Sequence, residues 1–375
     1  MPAYLDHNAT TPVDPRVLEA MLPYLRGPYG NPSSLHRFGR AARDGIERAR
    51  AQVAALLGAQ PQQVIWTSGG TEANNLAIKG LCWGQTRGRV LYGATEHPAV
   101  MEAAESLKAE GWGVSQIPVS EDGTIEAEHL SASLRAEPVR LVSLMLANNE
   151  TGVIHDTAAI AQAVHAAGAW MHVDATQAAG KLPMQFADVG ADLLTLSSHK
   201  LYGPKGAGAL LVGAEVDLSP LLHGGAQERG LRGGTENLPA LVGFGAAAEL
   251  AMQELDARIA HVRALQQQLE GGLQQLPGVT VFGQGAPRLS NTTQFALRGW
   301  EGEALLMHLD RKGFAVSSGS ACASGSGKPS HVLLAMGVPV DVAQGAVRVS
   351  FGTGNTSEEV AQLLAALADF AAQVQ

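Results

Sequence analysis

Cysteine is nearly absent from this chain: 375 residues carry two, Cys82 and Cys322. Two thiols cannot build a disulfide framework, and no C-x-x-C pair exists to hold zinc. Long apolar runs are missing as well, and none reaches the length that spans a bilayer. The opening residues MPAYLDHNATTP lack a basic stretch followed by an apolar one, so no signal peptide is read there. The expectation is a reduced, cytoplasmic setting with no membrane partner. Charge is sparse too, at 16% of residues, and the net −9 is spread along the chain. Nucleic acid needs a basic face and is disfavoured as the main partner. Neither a G-x-G-x-x-G turn nor a P-loop occurs, which disfavours dinucleotides and nucleoside triphosphates.

What is present is a chain 46% apolar and long enough for a large core in two domains. Apolar strands at about 63–67, 89–92, 139–146, 169–173 and 192–196 alternate with helical segments at about 71–82, 98–110, 157–167 and 177–181. That alternation predicts an α/β fold with a mainly parallel sheet and helices on both faces. Residues 206–212 read as one further strand, antiparallel after a tight turn. Residues 236–275 form long helical segments leading to a smaller α+β domain, with strands at 279–282, 291–297 and 346–350 and helices near 302–311, 331–336 and 357–372. The expected division is a large domain at 15–255 and a small one from 1–14 and 256–375. The small domain carries the small-residue stretch VSSGSACASGSGKPS at 316–330.

Five polar motifs sit at the predicted strand ends, where open α/β sheets bind ligands. TSGGTEANN, residues 67–75, ends a strand and opens a helix, so its first N–H groups and the Thr71 hydroxyl suit an anion. The same text also reads as an ordinary capped turn. Glu96-His97 and Asn148-Asn149-Glu150 follow two other strands; a histidine there is often only packed, and amides also cap helices. Asp174 and Gln177 follow the strand AWMHV, and Lys200 follows Ser197-Ser198-His199 in a Gly-rich turn. A lysine in such a turn can be desolvated to act as an amine nucleophile. A phosphate turn, an acid and a lysine are the three needs of pyridoxal 5'-phosphate: a helix N-terminus, a partner for the ring nitrogen and an amine for the aldehyde. Asp174 precedes Lys200 by 26 residues, one strand–helix–strand step.

LDHNATTP, TSGGTEANNLAIKG, EHPAV, NNETG, HVDATQ, SSHKLYGPKG, HGGAQERGLRGGTEN and SSGSACASGS, in that order, resemble the group I cysteine desulfurases. These are class V aminotransferase-like enzymes of fold type I, and the resemblance covers about residues 4–351. It implies that Lys200 is the Schiff-base lysine, Asp174 the partner of the pyridine nitrogen, Gln177 a donor to the ring hydroxyl and His97 the imidazole over the ring. Gly70, Thr71, Ser197 and His199 match the family's phosphate contacts. Thr235 matches a residue that reaches the phosphate of the neighbouring subunit, which implies a homodimer. Asn149 matches a cofactor and substrate contact, and Arg348 a ligand of the substrate carboxylate. Cys322 matches the mobile thiol that takes sulfur from L-cysteine as a persulfide, leaving L-alanine, and gives it to an acceptor or scaffold protein of iron–sulfur cluster assembly. The resemblance implies no resident metal; Cys322 would transiently ligate an iron–sulfur cluster shared with a scaffold. Cys82 reads as a structural helix residue.

Two competing readings stand beside this one. The first is another enzyme of the same fold, such as a selenocysteine lyase or an aminotransferase; the long cysteine-bearing stretch speaks against both. The second is a catalytically silent platform for assembly proteins, against which the full set of His97, Asp174, Lys200 and Cys322 speaks.

Overall fold

The computed structural model describes residues 2–27, 29–318 and 328–372, and Cys322 lies outside them. The chain opens with β1 (Ala3–Tyr4). The large sheet then takes β2 (Val64–Thr67), β3 (Arg89–Gly93), β4 (Gly113–Ile117), β5 (Val139–Met145), β6 (Trp170–Asp174), β7 (Leu193–Ser197) and β8 (Gly208–Val212), in the order β2-β8-β7-β6-β5-β3-β4. Only β8 runs against its neighbours, β2 and β7; the other pairings are parallel. The carboxyl ends of the other six strands therefore share one edge. Strands β2 and β7 are buried along their whole length, which explains why they read as unbroken apolar runs rather than alternations. Their helices cover both faces, as expected from the sequence.

The smaller unit holds β9 (Val279–Val281), β10 (Thr292–Leu297), β11 (Phe314–Ala315), β12 (Ser317–Ser318) and β13 (Ala346–Ser350). Four of these form an antiparallel sheet in the order β12-β13-β10-β9, while β11 pairs in parallel with β1. Residues 236–275 turn out to hold one helix, Leu238–Leu273. Its first half packs Leu241, Phe244 and Ala248 into the core of the large sheet. Its second half packs Val262, Leu265 and Leu269 into the core of the small one. Beside it lies helix Arg37–Leu56, which buries Ala42, Ile46, Ala49 and Val53 at three- and four-residue spacing. The two come so close that a Cβ on Gly245 would stand 2.6 Å from the Ala49 Cα.

Several elements differ from the sequence expectation. Residues 177–181 are a run of tight turns, not a helix: Ala178 N–H bonds to Ala175 O, and Gly180 takes φ +72°, a left-handed conformation that ends any helix. Strand β4 and helix Ala127–Ala136 were not expected at all. β4 is an edge strand whose sequence GVSQI is mostly half-exposed, so it carries no apolar run to read.

Candidate active site

The shared strand edge opens on a cavity of about 340 Å³, within the range of roughly 300–1,000 Å³ typical of small-molecule sites. Gly70, Thr71, His97, Asn149, Asp174, Gln177, Ser197, His199, Lys200 and Arg348 all line it. Ten of the residues singled out in the sequence thus meet in one place. Thr235 does not line it; this residue is exposed, in the loop before helix Leu238–Leu273. Cys322 lies outside the described residues.

Each wall has its own local cause. At the end of β6, Asp174 is buried and held on both oxygens: Asn74 Nδ2 donates to Oδ2 at 2.7 Å and Thr176 N–H to Oδ1 at 2.9 Å. Asn74 belongs to the helical run that starts at Gly70, so the turn after β2 and the acid after β6 are tied together. β8 passes close beneath that turn, which requires glycine at Gly208 on β8. A Cβ on Gly208 would lie 2.6 Å from the Gly69 Cα, and one on Gly70 would lie 3.2 Å from the Thr176 hydroxyl. The Thr176 and Ser197 hydroxyls are buried without a protein partner. Two unspent hydroxyls beside a helix N-terminus form a seat for an anion.

At the end of β7, Lys200 donates to the carbonyls of Asn8 and Ala9, each at 2.7 Å. His199 Nδ1 lies 3.1 Å from the Thr10 hydroxyl, and burial beside Lys200 pushes its pKa down to about 4. His97 caps helix Pro98–Ser106 by accepting the Ala99 N–H at Nδ1, 3.1 Å away. Burial lowers its pKa, so the ring is neutral with its proton on Nε2. Behind it, burial raises the Glu96 carboxyl well above the ordinary range, while one of its oxygens accepts the Met145 N–H at 2.6 Å.

Arg348, on β13, is 1% exposed. Its Nη1 donates to Asn149 O at 2.9 Å and its Nη2 to Asp6 at 2.6 Å, while Nε is buried without a partner. That leaves an oriented guanidinium lining the cavity, suited to a carboxylate. The neighbouring strand β12 sets Ser317 opposite Arg348. Ser330, after the undescribed stretch, donates its hydroxyl to Glu150, beside Asn149.

The sequence reading missed the N-terminal arm. Asp6, Asn8, Ala9 and Thr10 all bond to the site residues just described. Asn8 alone joins Asn149 O, the Thr292 hydroxyl, Asn291 and Lys181 through its side chain. Its only signal was the motif LDHNATTP, which composition and periodicity do not explain. Asn74 and Thr176 carry no sequence signal of their own, because each holds the Asp174 carboxylate, across the fold or within its own turn.

Comparison with known proteins agrees with the geometry. The family model described as aminotransferase class-V matches residues 3–363. The chain belongs to the class-V aminotransferase family. Within it the relatives are cysteine desulfurases. The cysteine desulfurase of Rhodobacter capsulatus is 46% identical, with 99% of this chain and 97% of that protein covered. The cysteine desulfurase IscS of an Anaeromyxobacter species is 45% identical, with 96% and 90% covered. Among solved structures, a NifS-like protein superposes with a TM-score of 0.93 at 36% identity over all of both chains. A protein described as SspA in complex with cysteine gives 0.83 at 32%, covering 94% of this chain and 100% of that one.

Members of this family use pyridoxal 5'-phosphate, and it is this chain's cofactor. The cavity fits that group by its own features. The unpartnered Thr176 and Ser197 hydroxyls stand where a phosphate needs donors, and a fixed carboxylate and an amine stand at adjacent strand ends. Cys82, by contrast, is packed in the helical run after β2, and burial pushes its thiol up to about 12. It is inert at neutral pH.

Proposed function

We propose that the protein takes the sulfur of L-cysteine onto Cys322 and hands it to an acceptor protein of iron–sulfur cluster assembly, releasing L-alanine. The observation that carries this reading is the convergence of Asp174, Gln177, His97, Lys200 and Arg348 on one cavity. When bound, pyridoxal phosphate supplies an aldehyde for the substrate amine and an electron-poor ring that weakens the substrate Cα–H bond.

The chain's own residues do the rest. Gly70, Thr71, Ser197 and His199 would hold the phosphate, with Asn149 and Gln177 at the ring and Asp174 at its nitrogen. Lys200 would hold the aldehyde and, once displaced by substrate, carry the Cα proton; the Asn8 and Ala9 carbonyls support its amine in reach of the cavity. His97 would lie over the ring and assist proton transfer. Arg348 and Asn149 would take the substrate carboxylate. The Cys322 sulfur bonds to the substrate sulfur as the carbon–sulfur bond breaks, and the carbon gains a proton. L-cysteine and the thiol thus become L-alanine and a persulfide, with no outside oxidant. Transient ligation of a scaffold's cluster by Cys322 follows from the same thiol.

Thr235 would contact the phosphate bound by a second subunit, making the enzyme a homodimer. Its exposure outside its own chain's cavity supports this. So does the anchoring of its loop by the Arg50–Glu228 and Arg232–Glu72 ion pairs. The domain division at residue 255 is supported by the helix Leu238–Leu273, whose two halves enter different cores. A persulfide carrier needs a reducing compartment, which favours the cytoplasm; among the described residues no helix is long and apolar enough to cross a membrane.

The test is Cys322→Ser. Its purified protein should keep the cofactor's visible absorption yet form neither persulfide nor alanine above background. Persulfide formation at the unaltered rate would remove Cys322 from the reaction.

A further inference from the structure

Lys181 is a buried lysine beside the cavity to which the reaction assigns nothing. It follows the turns after β6, and its amine makes two bonds: 2.6 Å to Gln177 Oε1 and 3.1 Å to Asn8 Oδ1. Both partners are acceptors. Gln177 in turn donates from Nε2 to the Asn8 carbonyl at 2.9 Å. Its amide orientation is therefore fixed twice, because a backbone carbonyl accepts only from the NH2 side and Lys181 donates to the oxygen side. An amide nitrogen has two hydrogens. One is used on Asn8, and the other belongs to a side chain that lines the cavity.

The same Asn8 carbonyl accepts from Lys200 at 2.7 Å. Lys181, Gln177, Asn8 and Lys200 thus form one connected circuit, with Asn8 held on its far side by Asn291 and Thr292. The charged and titratable groups facing Lys181 are Lys200, Arg348, His7 and His199. Burial and the charges of Lys200 and Arg348 lower its pKa well below the usual lysine range. Two acceptors satisfy both N–H groups of a neutral amine, so the circuit holds whether or not Lys181 is protonated.

We propose that Lys181 is a positioning residue that turns the Gln177 amide N–H toward the ring oxygen of the cofactor. This rests on the proposed reading of the cavity. A donor at the ring oxygen stabilises its anionic form, so it lowers the pH at which the bound cofactor's visible band titrates.

The experiment compares Lys181→Met, Lys181→Arg, Gln177→Met and the Lys181→Met/Gln177→Met pair. The readouts are the pH midpoint of the visible band and the dissociation constant for pyridoxal phosphate added to cofactor-free protein. Lys181→Met should raise the midpoint and weaken cofactor binding by about tenfold, the loss of one strong hydrogen bond. Lys181→Arg should recover most of the affinity. If Lys181 acts through Gln177, removing it in the Gln177→Met background should add less than about twofold. An unchanged midpoint in Lys181→Met, or full additivity in the pair, overturns the proposal. Lys200→Ala is measured alongside: if it keeps the titrating visible band, the reading of the cavity itself fails, which is a separate outcome from failure at Lys181.

Discussion

The cavity has two walls of different origin. One is the carboxyl edge of the large sheet, where Asp174, Ser197, His199 and Lys200 stand at the ends of β6 and β7. The other is the arm Asp6–Thr11, which runs from β1 in the small unit across that edge. The edge supplies the groups with chemistry to perform. The arm supplies backbone carbonyls, one amide, one carboxylate and a hydroxyl, and these hold the groups around it: Lys200 of the edge rests on Asn8 O and Ala9 O, His199 meets the Thr10 hydroxyl, and Arg348 of the small unit rests on Asp6. At Lys200 the functional group and the carbonyls that aim it thus come from different units of the fold, whereas Arg348 and Asp6 both belong to the small one.

The comparison makes its strongest demand at Lys200. Replacing it with alanine should reduce alanine formation by at least about a thousandfold, the scale of losing a positioned nucleophile and base. The fold should barely notice, because the two hydrogen bonds to the arm end on backbone carbonyls of a segment held by many other contacts. Melting of the cofactor-free variant should stay within a few degrees of the unaltered protein. A large loss of stability would mean that the edge lysine is structural, and the distinction between the walls would disappear.

Asn8→Ala asks the converse question. The carbonyl that receives Lys200 and Gln177 survives the substitution, but the buried amide that joins Thr292, Asn149, Lys181 and Asn291 does not. Partners left unsatisfied should cost about 3 kcal/mol of stability, read from urea unfolding. Activity should fall with it, but far less than in Lys200→Ala. An Asn8→Ala protein as stable as its parent would show that the arm is a passive strap.

The two walls also differ in how far the sequence discloses them. The edge was legible because β6 and β7 are apolar runs that stop at polar residues, and a parallel sheet collects such stops on one side. Asp174 and Lys200 follow from that logic with no knowledge of relatives. The arm was not legible in the same way. Its residues act through main-chain carbonyls, which every residue has, and its partners lie as far away as Ser350 and Arg348. Nothing periodic marks such contacts. β4 stayed hidden for a related reason, since an edge strand with half its residues exposed carries little apolar signal. The turns at 177–181 were misread because Ala178 and Ala179 favour a helix, whereas Gly180 ends it and Lys181 is drawn back to the arm.

The finest test lies where the arm meets β13 of its own unit, at Asp6 and Arg348. The Asp6 carboxylate, 21% exposed, holds one guanidinium nitrogen of Arg348, and Asn149 O holds another. Asp6 can act in two opposed ways. It fixes the fork in one orientation, which helps a substrate carboxylate, but it also carries the charge that such a carboxylate must approach. The geometry favours orientation, because Asp6 takes only Nη2 of a guanidinium that lines the cavity. Asp6→Ala should therefore raise KM for L-cysteine by about tenfold with kcat changed less than about twofold. Asp6→Asn keeps an oxygen for Nη2 and sheds the charge, so its KM should stay within about threefold of the parent. If Asp6→Ala instead lowers KM, the carboxylate competes with substrate for Arg348, and the arm guards that end of the cavity rather than building it.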